Sequence, residues 1–365
     1  MDFLDAAACG LGNGRLPGTR RAVKGRVMNC QPLPDDWTDS AAWLVQAIDP
    51  AARLARLVRM DAERYRAASF LDDRMLGDVT DARLCVLDEL ISASARIDAR
   101  PANWIFHIGH VGSTLVSRLL GELGGTLSIR EPRSLRDLCA ADDAERPALA
   151  LSLRNAMARP LEPGQAVVIK ATSFVSDHAP LLIAPGACAM FLYATPRRYI
   201  EGILAGNNSV KELRLLAAER VRRLATRGIV LADFDASDAQ LAAAAWLCEM
   251  SALEAAATAI SGEQLMWADF DALLVDMGGA LARIAAHFGV TASRAEIDAV
   301  VSGPLMHHYS KALEFDYSPG LRAELLAEAG RTHRADIDAA LAALGSLGAD
   351  VPLAARALAR STGEN

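Results

Sequence analysis

The chain has 365 residues, 52% of them hydrophobic and 23% charged, which is enough apolar material for one large domain or two smaller ones. A net charge of −7 and a pI near 5.6 argue against non-specific nucleic-acid binding, while leaving room for a local basic pocket that takes a small anion. The six cysteines (Cys9, Cys30, Cys85, Cys139, Cys188 and Cys248) fall in no CxxC or Cys/His pattern, so reduced thiols of a cytoplasmic protein are expected, with no metal centre.

Residues 1–27 are broken by glycines and carry Arg15, Arg20, Arg21, Lys24 and Arg26; a flexible basic tail is expected, with no secretory signal. Residues 28–100 form the next segment, and from Thr38 its pattern becomes helical. Thr38 or Asp39 can cap a helix bearing Ala42, Trp43, Val45 and Ile48. Asp49-Pro50 can start another with Leu54, Leu57, Val58 and Met60, and Ala62–Phe70 and Ala82–Ala95 continue the pattern. An all-helical cap is predicted, packed on the following domain and shaping its acceptor side, with Trp43, Tyr65 and Phe70 as aromatic candidates for a pocket wall.

From residue 101 to 365 the pattern changes. Trp104–Phe106, Leu127–Ile129, Ala166–Ile169, Ala189–Tyr193 and Leu265–Trp267 are short apolar runs separated by helical stretches, the signature of a parallel sheet covered on both faces. The predicted class is therefore α/β, a P-loop three-layer α/β/α domain with a mostly parallel sheet. Alanine-rich Leu241–Leu247 is too short to span a bilayer and reads as a buried helix, so no membrane association is expected.

The stretch after the first of these strands, Gly109-His110-Val111-Gly112-Ser113-Thr114, leads into a leucine-rich helix. Glycines there let backbone N–H groups converge on an anion at a helix N-terminus. A Walker loop would place a lysine before the Ser/Thr, where this chain has Gly112, so an ordinary ATP or GTP hydrolase is disfavoured. Right-handed crossovers bring the strand ends to one edge, and with them His110, Ser113, Thr114, Glu131, Lys170, Arg197 and Arg198.

These residues resemble the P-loop sulfotransferase family, in particular a bacterial branch with a similar N-terminal segment and the ending Tyr309-Ser310-Lys311. The loop is similar to that family's phosphosulfate loop, and Ser128-Ile129-Arg130-Glu131-Pro132 to its second-strand carboxylate site. Tyr193–Gly202 is similar to its 3′-phosphate element. Trp267–Leu274 with His287-Phe288-Gly289-Val290 is similar to its aromatic-acid-leucine segment, so the similarity covers roughly residues 103–311. The resemblance implies a co-substrate, 3′-phosphoadenosine 5′-phosphosulfate, and no metal. It implies that Gly109, His110, Val111, Gly112, Ser113, Thr114, Arg197 and Arg198 bind the donor, and that Glu131, His110 and Lys170 are catalytic, Glu131 as base towards a hydroxyl or amine acceptor.

The chain departs from that pattern in four places. His110 stands where the loop cation is Lys or Arg, and Thr172 where cytosolic members carry a catalytic His. Ala194 and Gly202 replace the usual Arg and Ser of the 3′-phosphate site. Arg197, Arg198 or the basic run Arg214, Arg220, Arg222 and Arg223 are the available substitutes. A catalytically degenerate nucleotide-binding or interaction protein, and a P-loop kinase using Asp269 or Asp271, stay open as alternatives. The ligand expected in each case is a small molecule or nucleotide; acceptor and oligomeric state are not legible.

Overall fold

A computed structural model describes residues 30–231, 237–308 and 318–362; Tyr309-Ser310-Lys311 and the basic tail lie outside them. Five strands form the central sheet: β4 (Asn103–His107), β5 (Thr126–Arg130), β6 (Ala166–Lys170), β7 (Ala189–Tyr193) and β8 (Leu265–Asp269). Their order is β5-β6-β4-β7-β8, and each neighbouring pair is parallel. All five sit on the apolar runs read from the sequence. With their flanking helices they make the three-layer α/β/α domain expected.

The strands are connected through helices. The helix Asp238–Ala257 begins with a capping box, in which Ser237 and Gln240 satisfy each other's backbone N–H groups. Its alanines let neighbours approach closely, and Ala242 through Leu253 is buried on every face. Trp246, fully buried, donates its indole N–H to Ala194 O at 2.9 Å and so ties this helix to the end of β7. No helix among the described residues is long and apolar enough to cross a membrane.

The segment before residue 100 corrects the sequence expectation. It is not an all-helical cap but a three-stranded antiparallel sheet, β1 (Trp43–Asp49), β2 (Leu54–Arg59) and β3 (Ala82–Val86), in the order β1-β2-β3. Only the short helices Ala62–Ala67, Asp73–Leu76 and Leu87–Ser94 were of the expected type. Two ambiguities account for this. Trp43 to Ile48 is buried continuously, so the strand shows no alternation and its apolar positions satisfy helical spacing equally well. Asp49-Pro50, a helix-start signal, here closes the β1–β2 hairpin: Asp49 Oδ1 accepts from Ala52 N at 2.9 Å, and Arg53 takes a left-handed φ of 56°. An Asp accepting from the third following N–H serves a turn and a helix start alike.

This sheet shares its hydrophobic core with the α/β domain. Edge strand β1 would leave unpaired backbone groups, and side chains of the larger domain satisfy them. Ser134 Oγ donates to Val45 O at 2.7 Å, Arg159 Nη2 donates to Trp43 O at 2.8 Å, and Asp137 Oδ2 accepts from Ile48 N at 2.9 Å. Burial is the largest influence on the Asp137 carboxyl and raises its pKa from the ordinary 3.8 to about 6, against the lowering effects of the Ile48 N–H and Arg133. The folded chain therefore binds this proton more tightly than the unfolded chain does. Its contribution to stability is fully present below pH ~4 and is lost as pH rises through about 6. Chemical denaturation from pH 4 to 7 is expected to show this decline, flattened in Asp137→Asn; an unchanged slope in the variant contradicts it.

Candidate active site

The site is built on the edge where β4, β5 and β6 end. After β4 the chain turns through Gly109 (φ 80°), His110 (φ 53°) and Gly112 (φ 64°), three left-handed residues in four. Gly112 is the N-cap of the helix Ser113–Glu122 and offers no side chain, so no side-chain cap satisfies the first N–H groups of that helix. Donors and helix dipole together form an anion seat. Ser113 and Thr114 are buried beside it, and the Thr114 hydroxyl has no hydrogen-bond partner among the described residues. A hydroxyl at that position stands beside the open N–H groups of the helix start.

Two features hold the loop in shape. The His107 Nδ1 accepts from Gly109 N at 3.0 Å, which places the ring hydrogen on Nε2, where it faces Ala171 O at 2.9 Å. On the other side the Phe270 ring lies against Gly112, where an added Cβ would stand 1.9 Å from the ring. Gly112 is thus required twice, by its backbone angle and by Phe270.

At the ends of β5 and β6 stand Glu131 and Lys170. Glu131 N donates to Lys170 O at 2.8 Å, continuing the ladder by one residue, and Glu131 itself takes a left-handed φ of 49°. That strained backbone turns its carboxylate onto the Lys170 ammonium, with which it forms a buried ion pair. Burial alone would raise the carboxyl pKa; the Lys170 charge overrides it and holds Glu131 well below the usual carboxylate range. His107 Nε2 lies 3.9 Å from Glu131 Oε1, and Arg74 reaches Oε2 at 3.7 Å.

A cavity of about 850 Å³ opens over this edge. It is lined by the predicted Gly109, His110, Val111, Gly112, Ser113, Thr114, Glu131 and Lys170 together. His110 approaches Ser209 Oγ at 3.5 Å and Glu212 Oε2 at 4.0 Å. Arg197 and Arg198, expected to bind the donor, are not on its wall. Both belong to the helix Pro196–Leu204, which turns them outward to half-exposed ion pairs with Asp338 at 2.6 Å and Glu201 at 3.1 Å.

The basic run on the helix Asn207–Thr226 is divided by its own periodicity. Arg214 pairs with Asp238 and Arg222 with Glu219 on the outside. Arg223 faces the cavity but is held by Asp177 and Glu249, both at 2.7 Å. Arg220 is the exception. It lines the cavity at 7% exposure, and its Nε and Nη1 have no hydrogen-bond partner among the described residues. The buried Tyr199 hydroxyl is likewise unpartnered on the same wall, its pKa raised by burial.

Arg74 is a further residue of the site, its guanidinium 3.6 Å from the centre of the Phe70 ring. Both line the cavity. Phe70 was among the aromatic candidates; Trp43 and Tyr65 instead belong to the core. Nothing in the local sequence marks Arg74, because its role depends on the small sheet carrying residues 70–74 to the edge of the large one. Among the described residues no group of three or more His, Cys, Asp or Glu is placed to hold a metal ion.

No protein-family model matches the chain, and neither does any curated protein. Solved structures do. A sulfotransferase domain from the curacin biosynthetic pathway is 13% identical, covering 60% of this chain and 85% of its own, with a TM-score of 0.36. The sulfotransferase domain of the Synechococcus PCC 7002 olefin synthase is 14% identical over 62% of this chain and 83% of its own, TM-score 0.36. Sulfotransferase STF9 of Mycobacterium avium is 11% identical over 66% and 79%, TM-score 0.38. These neighbours are sulfotransferases, the family that the loop and its downstream segments resemble.

Gly112→Ala places a methyl group into the Phe270 ring at a left-handed position, so the loop must rearrange. A loss of about 1–3 kcal/mol in urea denaturation is expected, and Phe270→Ala in the same chain should recover part of the loss belonging to the clash. No rescue contradicts the packing argument.

Proposed function

We propose that this cavity binds 3′-phosphoadenosine 5′-phosphosulfate and that the protein transfers its sulfuryl group to a hydroxyl or amine acceptor. The observation that carries the reading is the pairing of two unsatisfied anion receptors in one cavity. The Gly109–Thr114 loop, with its uncapped helix start and unpartnered Thr114 hydroxyl, suits the 5′-phosphosulfate. Buried Arg220 suits a second phosphate and fills the role left vacant by Ala194 and Gly202. A guanidinium nine-tenths buried with open donors is costly unless an anion meets it.

The chemistry follows from the Glu131–Lys170 pair. Sulfuryl transfer breaks the S–O bond to the phosphate and forms one to the acceptor, leaving negative charge on the departing phosphate oxygen. Lys170, and His110 when protonated, neutralise that charge. In the free protein Glu131 is a weak base because Lys170 stabilises its carboxylate. Donor binding draws the ammonium towards the leaving oxygen, and burial then raises the basicity of Glu131 so that it takes the acceptor's proton. Arg74 and Phe70 bring the small sheet to the acceptor side.

Isothermal titration with 3′-phosphoadenosine 5′-phosphate, ADP and ATP tests the reading. The first ligand is expected to bind without magnesium and about 10-fold or more tighter than ADP. Arg220→Gln should bring the two affinities together while leaving ADP binding nearly unchanged. Magnesium-dependent preference for ATP would instead identify a kinase, and no nucleotide binding a degenerate module.

A further inference from the structure

A second cavity, of about 40 Å³, lies apart from the donor site, between the helix Ala62–Ala67, the helix Ser113–Glu122 and β5. Three arginines line it, and two of them are buried. Arg130, on β5, is 1% exposed, and Arg118, on the helix after the loop, is 6% exposed. Neither has a carboxylate within ion-pair distance. Arg130 donates from Nε to Ala68 O at 2.8 Å and from Nη2 to Tyr65 O and Arg66 O. Arg118 Nη1 donates to Ser69 Oγ at 2.9 Å and Ala67 O at 3.4 Å. Together they cap the carbonyl end of the helix Ala62–Ala67, where cations are favoured.

Capping uses only part of their capacity. Arg118 Nε is buried with no partner, and so is Thr126 Oγ1, both on residues of this cavity wall. Arg130 Nη1 lies beside Gly121, where an added Cβ would stand 3.5 Å from it. Burial and then the neighbouring Arg118 lower the Arg130 pKa to about 9. The single carboxylate on the wall, Glu122, acts on Arg118 and Arg130 through space but lies at ion-pair distance only from Arg66, at 3.9 Å. Buried like charges with open donors call for a counter-charge. The volume admits one small ion with water and excludes an organic molecule.

We infer that this cavity is a binding site for a monatomic inorganic anion, of the class of chloride, held by Arg118 and Arg130. The site has a structural consequence for the main cavity. Leu71 N donates to Arg130 O at 2.8 Å, so the chain between the capped helix and Phe70–Arg74 hangs on the residue that precedes Glu131. An anion between the two guanidiniums fixes the small sheet's contribution to the site in register with the strand end. This inference does not depend on the reaction proposed above.

Thermal unfolding of the full chain in sodium chloride against sodium gluconate, at fixed ionic strength, tests it. A saturable rise of about 2–4 °C with chloride alone is expected, absent in Arg118→Gln. Superimposable chloride and gluconate curves overturn the inference, as does an undiminished chloride effect in the variant. Should the variant fail to fold, a bromide-soaked crystal of the unaltered protein decides. An anomalous peak between Arg118 and Arg130 supports the site, and water alone in the cavity overturns it.

Discussion

The ion pair between Glu131 and Lys170 is the constraint on which the rest of the site depends. Both residues are buried at the end of a strand, and each would be costly there alone. Lys170 is fully buried, and Glu131 adopts a backbone angle that a non-glycine residue rarely takes. The sheet order makes the pairing possible, because β5 and β6 are neighbours in register from Thr126 opposite Ala166 to Arg130 opposite Lys170, so both strands end at the same level. The left-handed backbone of Glu131, the residue after Arg130, then turns its carboxylate onto the lysine. Around this pair the other groups take their places: His107 fixing the loop, Arg74 reaching the second carboxylate oxygen, and the helix start offering its N–H groups.

Much of this was legible because parallel sheets leave a strong trace. Five apolar runs with helical spacers locate the strands, and strand order follows crossover rules closely enough to put Glu131, Lys170 and the loop on one edge. The loop was legible because left-handed positions need glycine, and Gly109 and Gly112 mark two of them. The third, His110, carries no such mark.

What stayed hidden depended on contacts far apart in sequence. The small antiparallel sheet was read as helices because β1 is buried on both sides and shows no alternation, and because Asp49-Pro50 signals a turn and a helix start alike. Its edge is satisfied by Ser134, Asp137 and Arg159, roughly ninety residues and more downstream, a relationship no local pattern reveals. Arg197 and Arg198 looked like donor ligands because they follow a strand. Helical rotation turns them outward, and the inward cation on the next helix is Arg220, whose neighbours Arg222 and Arg223 have the same composition and different partners. Charge type was readable there; direction was not.

The central claim is that Glu131 and Lys170 act as one unit. A double-mutant cycle on Glu131→Gln and Lys170→Met, read by urea denaturation, tests it most directly. Each single change strands a buried charge and is expected to cost about 3–5 kcal/mol. The double variant should cost far less than the sum, with a coupling of about 2 kcal/mol or more. Losses that add to within about 0.5 kcal/mol would contradict the account.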